Sequence, residues 1–160
     1  MKAEPQKEHE WLHRMIGDWT FEAEGFIDPD QPVHKSGGTE KVRSLGGLWV
    51  VAEGQGAMPD GTPANTILTL GYDSQKGQFV GTWIGSMMTH MWVYEGKLDD
   101  SGKRLELDTT GPSMTPDGGT AQYREMIEFV SDDHRTFKSH VLRDNGEWFC
   151  FMTANYRRLG

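Results

Sequence analysis

The 160-residue sequence has little cysteine, no long apolar run and no cluster of basic residues. Its only cysteine is Cys150, so an internal disulfide is excluded, as is usual in a reducing compartment. No stretch approaches the ~20 apolar residues of a membrane-spanning helix. The opening MKAEPQKEHE lacks the apolar core of a signal peptide. We therefore expect a cytoplasmic protein without a membrane partner.

Charge and motif content exclude several functions. The chain carries 16 basic and 24 acidic residues, a net charge of −8, with the basic residues scattered. A nucleic-acid partner is therefore not expected. The sequence contains no Gly-rich phosphate loop, no Gly-x-Ser-x-Gly elbow and no Cys-x-x-Cys pair. Cys150 lies in EWFCFMT, which is apolar on both faces, so a buried and unreactive thiol is predicted.

Helical periodicity is confined to residues 7–16. There, Trp11, Leu12, Met15 and Ile16 fall on one helical face, and Gly17 supplies a stop. Residues 1–6 are expected to form a loose tail. The sequence thus predicts one short N-terminal helix that caps whatever follows it.

The rest of the chain is a series of strand patterns separated by turn residues. Turns such as LGG, MPDGTP, DDSGK and DNG recur about every fourteen residues. Tight turns favour antiparallel neighbours, and closure into a barrel removes the two exposed edges. We therefore predict a single all-β domain over 1–160, an antiparallel up-and-down β-barrel of about ten strands. The predicted strands are Trp19–Ile27, Gly38–Leu45, Trp49–Ala57, Asn65–Tyr72, Gln78–Ile84, Thr89–Leu98, Arg104–Thr110, Ala121–Val130, Thr136–Arg143 and Glu147–Arg158.

The stretch HEWLH fits the zinc-protease pattern H-E-x-x-H. On a helix, His9 and His13 could share a face and bind Zn²⁺, with Glu10 as the base. However, the metzincin extension needs glycine and histidine where this chain has Ile16 and Trp19, and no second helix offers a third ligand. We therefore reject the protease, predict no metal site, and interpret the motif as a capping helix with solvated histidines on its flank.

The stretch MIGDWTFEAEG resembles the Gly-x-Trp signature of the calycins, the superfamily of lipocalins and fatty-acid-binding proteins. The resemblance carries over to Gly17 and Trp19. It implies that Trp19 closes one end of a lipocalin-like barrel and is covered by a basic residue of the last strand, either Arg157 or Arg158.

Residues 9–158 also resemble a bacterial domain-of-unknown-function family of that superfamily, number fifteen-seventy-nine. The matching stretches are HEWLHRMIGDW, LGYDSQKGQFVGTWIGSM, YEGKLDDSGKRLEL and NYRR. The resemblance implies a barrel but no activity. No cofactor is expected, and haem enters only by analogy with haem-binding calycins.

Polar-tipped rings at alternating positions predict a cavity. In GTWIGSMMTHMWVYEG, alternation groups His90, Trp92 and Tyr94 on one face. In AQYREMIEFV the face with Tyr123 and Glu125 is the more aromatic, so we place it inside. Such a wall suits a small ligand. The predicted lining comprises Trp83, His90, Trp92, Tyr94, Tyr123, Glu125 and His140.

An inward Glu125 would need a partner or a proton, since an unpaired buried carboxylate is costly, and His140 or an arginine could serve. Glu53 also lies mid-strand, with its direction undecided.

Three functions remain open from the sequence. The preferred one is binding of a small apolar or amphipathic molecule inside the barrel. The second is an enzyme in the same cavity, with His90 or His140 as acid or base and Glu125 as its partner. The third is a packed barrel that acts as a homo-oligomeric interaction module. Two-sided apolar character in LWVVA and in the eighth and tenth strands predicts a homo-oligomer.

Overall fold

The structure is a computed structural model that describes residues 3–25, 33–58, 60–115 and 118–159. These residues form one helix and ten strands, in the predicted order. The elements are α1 Lys7–His13, β1 Gly17–Gly25, β2 His34–Leu45, β3 Trp49–Ala57, β4 Pro63–Asp73, β5 Gln78–Gly85, β6 Trp92–Leu98, β7 Arg104–Pro112, β8 Thr120–Ser131, β9 His134–Leu142 and β10 Trp148–Arg158. Phe26 and Ile27, the predicted end of the first strand, lie outside the described residues.

The ten strands close into an antiparallel up-and-down barrel, which confirms the predicted fold class. Each strand pairs with its neighbours in sequence, and β1 pairs with β10 to close the ring. We call the end covered by α1 the helix end, and the opposite end the far end. Among the described residues, no helix combines the length and apolar content needed to cross a membrane.

The helix end is tightly packed. Trp11, Leu12 and Met15 are buried, because the apolar face of the α1 segment turns toward the barrel. Trp11 also donates from Nε1 to the carbonyl of Gly102 at 2.8 Å. The helix ends earlier than predicted: the N–H of Met15 bonds the carbonyl of Leu12, and Ile16 bonds back three residues in the same way, so the chain tightens before β1.

Trp19 and Arg158 take the positions that the resemblance implies. Trp19 is fully buried and donates from Nε1 to the carbonyl of Met15 at 2.8 Å. The Arg158 guanidinium lies 4.3 Å above its ring and donates to the carbonyl of Ile16 at 2.7 Å. Gly17 has φ +137°, and a Cβ there would collide with Nη1 of Arg158. Arg157, the other candidate, is exposed. The last strand therefore covers Trp19 through Arg158.

The two histidines of HEWLH serve different structural roles. His9 is buried rather than solvated as predicted, because its ring packs edge-on against Tyr72 at 5.8 Å and its Nδ1 accepts from the N–H of Gln6. His13 donates from Nε2 to the carbonyl of Gly47 at 3.0 Å. Within the described ranges, no group of three or more His, Cys, Asp or Glu side chains could hold a metal ion.

The ladder between β6 and β7 is short. It joins Glu95–Leu98 to Leu105–Asp108 only. Closer to the far end, residues 92–94 pair with β5 and residues 109–112 pair with β8, so β6 and β7 separate. The predicted sixth strand began at Thr89, but the strand begins at Trp92.

Candidate ligand-binding cavity

The barrel contains a cavity of about 290 Å³ that extends toward the far end. Large side chains such as Leu105, Leu107 and Phe79 fill the interior of the helix end. Small residues at other inward positions, among them Gly54 and Ala23, leave the space that forms the cavity. A barrel of this strand number can be filled by side chains or hold one small ligand. Here one part is packed and another is hollow.

Four of the predicted aromatic residues line this cavity: Trp83, Trp92, Tyr94 and Tyr123. Trp83 and Trp92 are partners across β5 and β6, and the ring of Trp92 meets that of Tyr123 edge-on at 5.0 Å. The polar groups of two of these rings already have hydrogen-bond partners in the protein. Trp92 Nε1 donates to Met88 Sδ at 3.1 Å, and Tyr123 Oη donates to the carbonyl of Pro112 at 2.5 Å. These two rings therefore offer a ligand mainly apolar surface. Their role in binding stays a prediction.

His90 does not line the cavity, contrary to the sequence-based placement. It lies between β5 and β6, in a segment that is not a strand, so the alternation used to place it does not apply. Its ring packs edge-on against Trp92 at 4.8 Å and contributes to an outer groove beside β6 and β7.

His140 also lies outside the cavity. Its neighbour Ser139 points inward and is buried, so His140 points to the outer face. There, His140 Nδ1 donates to the carbonyl of Arg124 at 3.3 Å. Burial, together with the positive charges of Lys138 and Arg124, lowers the pKa of His140. Glu53 is likewise exposed on the outer face and lies 3.7 Å from the guanidinium of Arg43.

Glu125 points into the cavity, as predicted, but with a different partner. It is 6 % exposed, and the hydroxyl of Ser139 on β9 donates to its carboxylate. Burial raises the pKa of Glu125 to about 7, while the hydrogen bond from Ser139 acts in the opposite direction. Burial, reinforced by the charge of Glu125, also raises the pKa of Tyr94 and of Tyr123.

A buried ion pair, which sequence reasoning missed, also lines the cavity. Arg135 donates from Nη2 to the carboxylate of Glu40, and both side chains are almost fully buried. The guanidinium also lies 4.1 Å from the ring of Tyr156 and 4.7 Å from the ring of Trp19. Burial, with the charge of Glu40, raises the pKa of Tyr156.

The sequence pattern did not predict this ion pair for an identifiable reason. The predicted ninth strand begins at Thr136, yet β9 already begins at His134, so Arg135 is an inward strand residue. Glu40 shares its face with the buried Val42, which was a usable signal for an inward carboxylate. An inward acidic residue and an inward basic residue on different strands could then have been paired.

A β-bulge in β10 adds two further residues to the lining. The register with β9 shifts between Cys150 and Met152, and both Phe151 and Met152 face the cavity. A bulge re-aims side chains in a way that strict alternation does not predict. Cys150 is half-buried rather than fully buried, and its Sγ lies 3.5 Å from the carbonyl of Met152.

The cavity offers few of the side chains that commonly bind haem iron. The described lining includes no histidine or cysteine, the commonest protein ligands of haem iron. Tyrosinate ligation is disfavoured because burial raises the pKa of Tyr94, Tyr123 and Tyr156. Of the two methionines in the described lining, Met88 already accepts a hydrogen bond from Trp92 at its sulfur, which leaves Met152.

Comparisons with known proteins agree with the barrel and assign no activity. A family model described as "Protein of unknown function (DUF1579)" matches residues 4–158. No curated protein matches the sequence. The crystal structure of Rv2717c from M. tuberculosis is similar in fold, with a TM-score of 0.65 and 13 % identity over 98 % of this chain and 100 % of that chain.

Designed proteins share the architecture more loosely. A de novo designed fluorescence-activating β-barrel has a TM-score of 0.50 and 14 % identity, covering 92 % of this chain and 95 % of its own. The protein EF1p2_mFAP2b, solved bound to DFHBI, has a TM-score of 0.50 and 14 % identity, covering 94 % and 98 %. These likenesses show the fold alone.

Proposed function

We propose that this chain, which belongs to the DUF1579 family, binds one small amphipathic molecule inside the barrel. The observation that carries this proposal is the cavity itself: about 290 Å³, walled by aromatic rings, with a few fixed polar groups. Small-molecule sites are built in this way, and they usually span ~300–1,000 Å³. The volume is at the lower limit, so the ligand is small.

The arrangement of the barrel supports binding over the alternatives. In a packed interaction module, side chains would be expected to fill the space beside these four rings, because protein interiors pack to high density. The predicted histidine–glutamate pair for acid–base catalysis does not form, since His90 and His140 lie outside the cavity. The designed barrel solved bound to DFHBI supports only the point that a barrel of this architecture can hold a small molecule.

Three further predictions belong to this proposal. We infer a calycin-like ancestry from the ring of ten strands and from Trp19 beneath Arg158. A homo-oligomer is supported by exposed apolar side chains on the outer wall, among them Trp49, Val130 and Trp148. A cytoplasmic location rests on the sequence features alone.

The binding proposal is tested by isothermal titration calorimetry with an uncharged aromatic probe such as phenylbutanol, because this readout does not depend on the cavity tryptophans Trp83 and Trp92. We expect about one site per chain. Replacing Trp83 and Trp92 together by leucine should weaken binding about tenfold or more while the fold survives, because both rings line the cavity.

The matched control replaces Trp49 and Trp148, which are 40 % and 37 % exposed on the outer wall, by leucine. That double variant should bind the probe as the parent does. Absence of binding to the parent protein, or equal weakening in both double variants, would contradict the proposal.

A further inference from the structure

The charges of the cavity lining do not balance. Its described residues include two carboxyl groups, Glu40 and Glu125, and one guanidinium, that of Arg135. Glu40 and Arg135 are paired with each other. Glu125 is therefore left as the one acidic group of this lining without a cationic partner.

The inward-facing neighbours of Glu125 on the adjoining strands are neutral. Leu107 of β7 and Ser139 of β9 are its cross-strand partners. Tyr94 of β6 and Tyr123 of β8 are the other titratable groups whose charge interacts with it, and both are uncharged at neutral pH. A carboxyl group this deeply buried must take up a proton or find a positively charged partner, because an isolated buried charge is costly.

We propose, resting on the proposed binding function, that the cavity is selective for small organic amines, whose ammonium group pairs with the Glu125 carboxylate while the apolar body packs against the rings. Trp83, Trp92 and Tyr94 supply faces with which a cation interacts favourably. The hydroxyl of Ser139 stays on one carboxylate oxygen, and the ammonium occupies the cavity side of the group.

Proton balance follows from the state of each partner. When the amine arrives protonated, Glu125 releases its proton to water. When it arrives neutral, the proton passes from Glu125 to the amine nitrogen. Either route ends in the same ion pair.

The same charges disfavour an anionic ligand. Arg135 is already neutralised by Glu40, so it offers little net attraction for a carboxylate. Ionised Glu125 would repel one, since like charges in a site of low dielectric constant repel strongly. The cavity thus distinguishes ligands of equal shape by the charge of their head group.

The test compares three probes with the same body: phenylbutylamine, phenylbutanol and phenylbutyrate. Near pH 8, where about nine-tenths of Glu125 is ionised in the free protein, the amine should bind at least tenfold tighter than the alcohol, and the carboxylate weakest. Glu125→Gln should reduce the preference for the amine over the alcohol, measured in the same variant, to about threefold or less. Glu53→Gln, on the outer face, should change none of the three.

The pH dependence of the parent protein tests the same idea without a variant. Between about pH 8 and pH 5 the amine should lose at least tenfold in affinity, because Glu125 is then protonated, while the alcohol should not change. An amine no tighter than the alcohol, or an amine preference that survives Glu125→Gln, overturns this inference and leaves the binding function standing. Failure of all three probes to bind overturns the binding function as well.

Discussion

Replacing Glu125 by glutamine should change how the stability of the barrel depends on pH. In the unfolded chain this carboxyl ionises near its ordinary value of 4.5, whereas in the folded protein burial raises the pKa to about 7. Between these values the folded state binds a proton that the unfolded state has released. Stability from this group is therefore fully present below about pH 4.5 and is lost as the pH rises through about 7.

The size of the effect follows from the gap between the two pKa values. Each pH unit of that gap corresponds to about 1.4 kcal/mol, so the gap from 4.5 to about 7 amounts to roughly 3 kcal/mol. Glu125→Gln keeps the shape and the acceptor for Ser139 but cannot ionise. Near pH 4, the variant should therefore have nearly the same free energy of unfolding as the parent. Above about pH 7.5, its free energy of unfolding should be larger than that of the parent.

Urea melts of parent and variant at half-unit pH steps measure this difference directly. The matched control is Glu53→Gln, which removes a carboxylate of the outer face whose side chain is 55 % exposed. Its pH profile should run parallel to that of the parent. If the Glu125→Gln profile also ran parallel to the parent's, Glu125 would not be a buried carboxyl that loses its ionised form on folding, and the charge argument for amine binding would lose its basis.

Three further outcomes are expected. Trp19→Ala should cost ~3–5 kcal/mol in urea melts, because a fully buried ring is removed from the core; a loss below ~1 kcal/mol would mean that Trp19 does not close the helix end. Arg135→Met should lower the free energy of unfolding by ~3–5 kcal/mol because it leaves the buried Glu40 without a charged partner, and adding Glu40→Gln should recover part of that loss. Stability losses of the two substitutions that simply add would contradict the pairing. Dialysis against a chelator should leave the melting temperature unchanged, since His9 and His13 have separate protein partners; a drop reversed by Zn²⁺ would assign a metal to them.

Most of the fold could be predicted from the sequence because the barrel uses regular local signals. Turn residues separate all ten strands, and the apolar face of Trp11, Leu12 and Met15 identifies the single helix. The inward direction of Tyr123 and Glu125 also followed from alternation, since β8 is regular from Tyr123 to Phe129.

The site was harder to predict because its residues lie where regularity ends. His90 belongs to a segment outside the strands, Arg135 stands next to a tight turn, and Phe151 occupies a bulge. Alternation assigns a face only within an uninterrupted strand. The pairing of Arg135 with Glu40 joins positions 95 residues apart, so no local pattern contains it.

The short ladder between β6 and β7 gives the barrel wall one seam with fewer paired residues than the others. Four residue pairs hold it, and the ring of Trp92 lies where any side chain on Gly111 of β7 would have to go. Local opening requires the least free energy where the fewest backbone hydrogen bonds must break. Amide hydrogens along this seam should therefore exchange with deuterium ahead of those in a longer ladder such as that between β8 and β9. A molecule could then enter or leave through the side of the barrel by a swing of the Trp92 ring, at a rate independent of global unfolding.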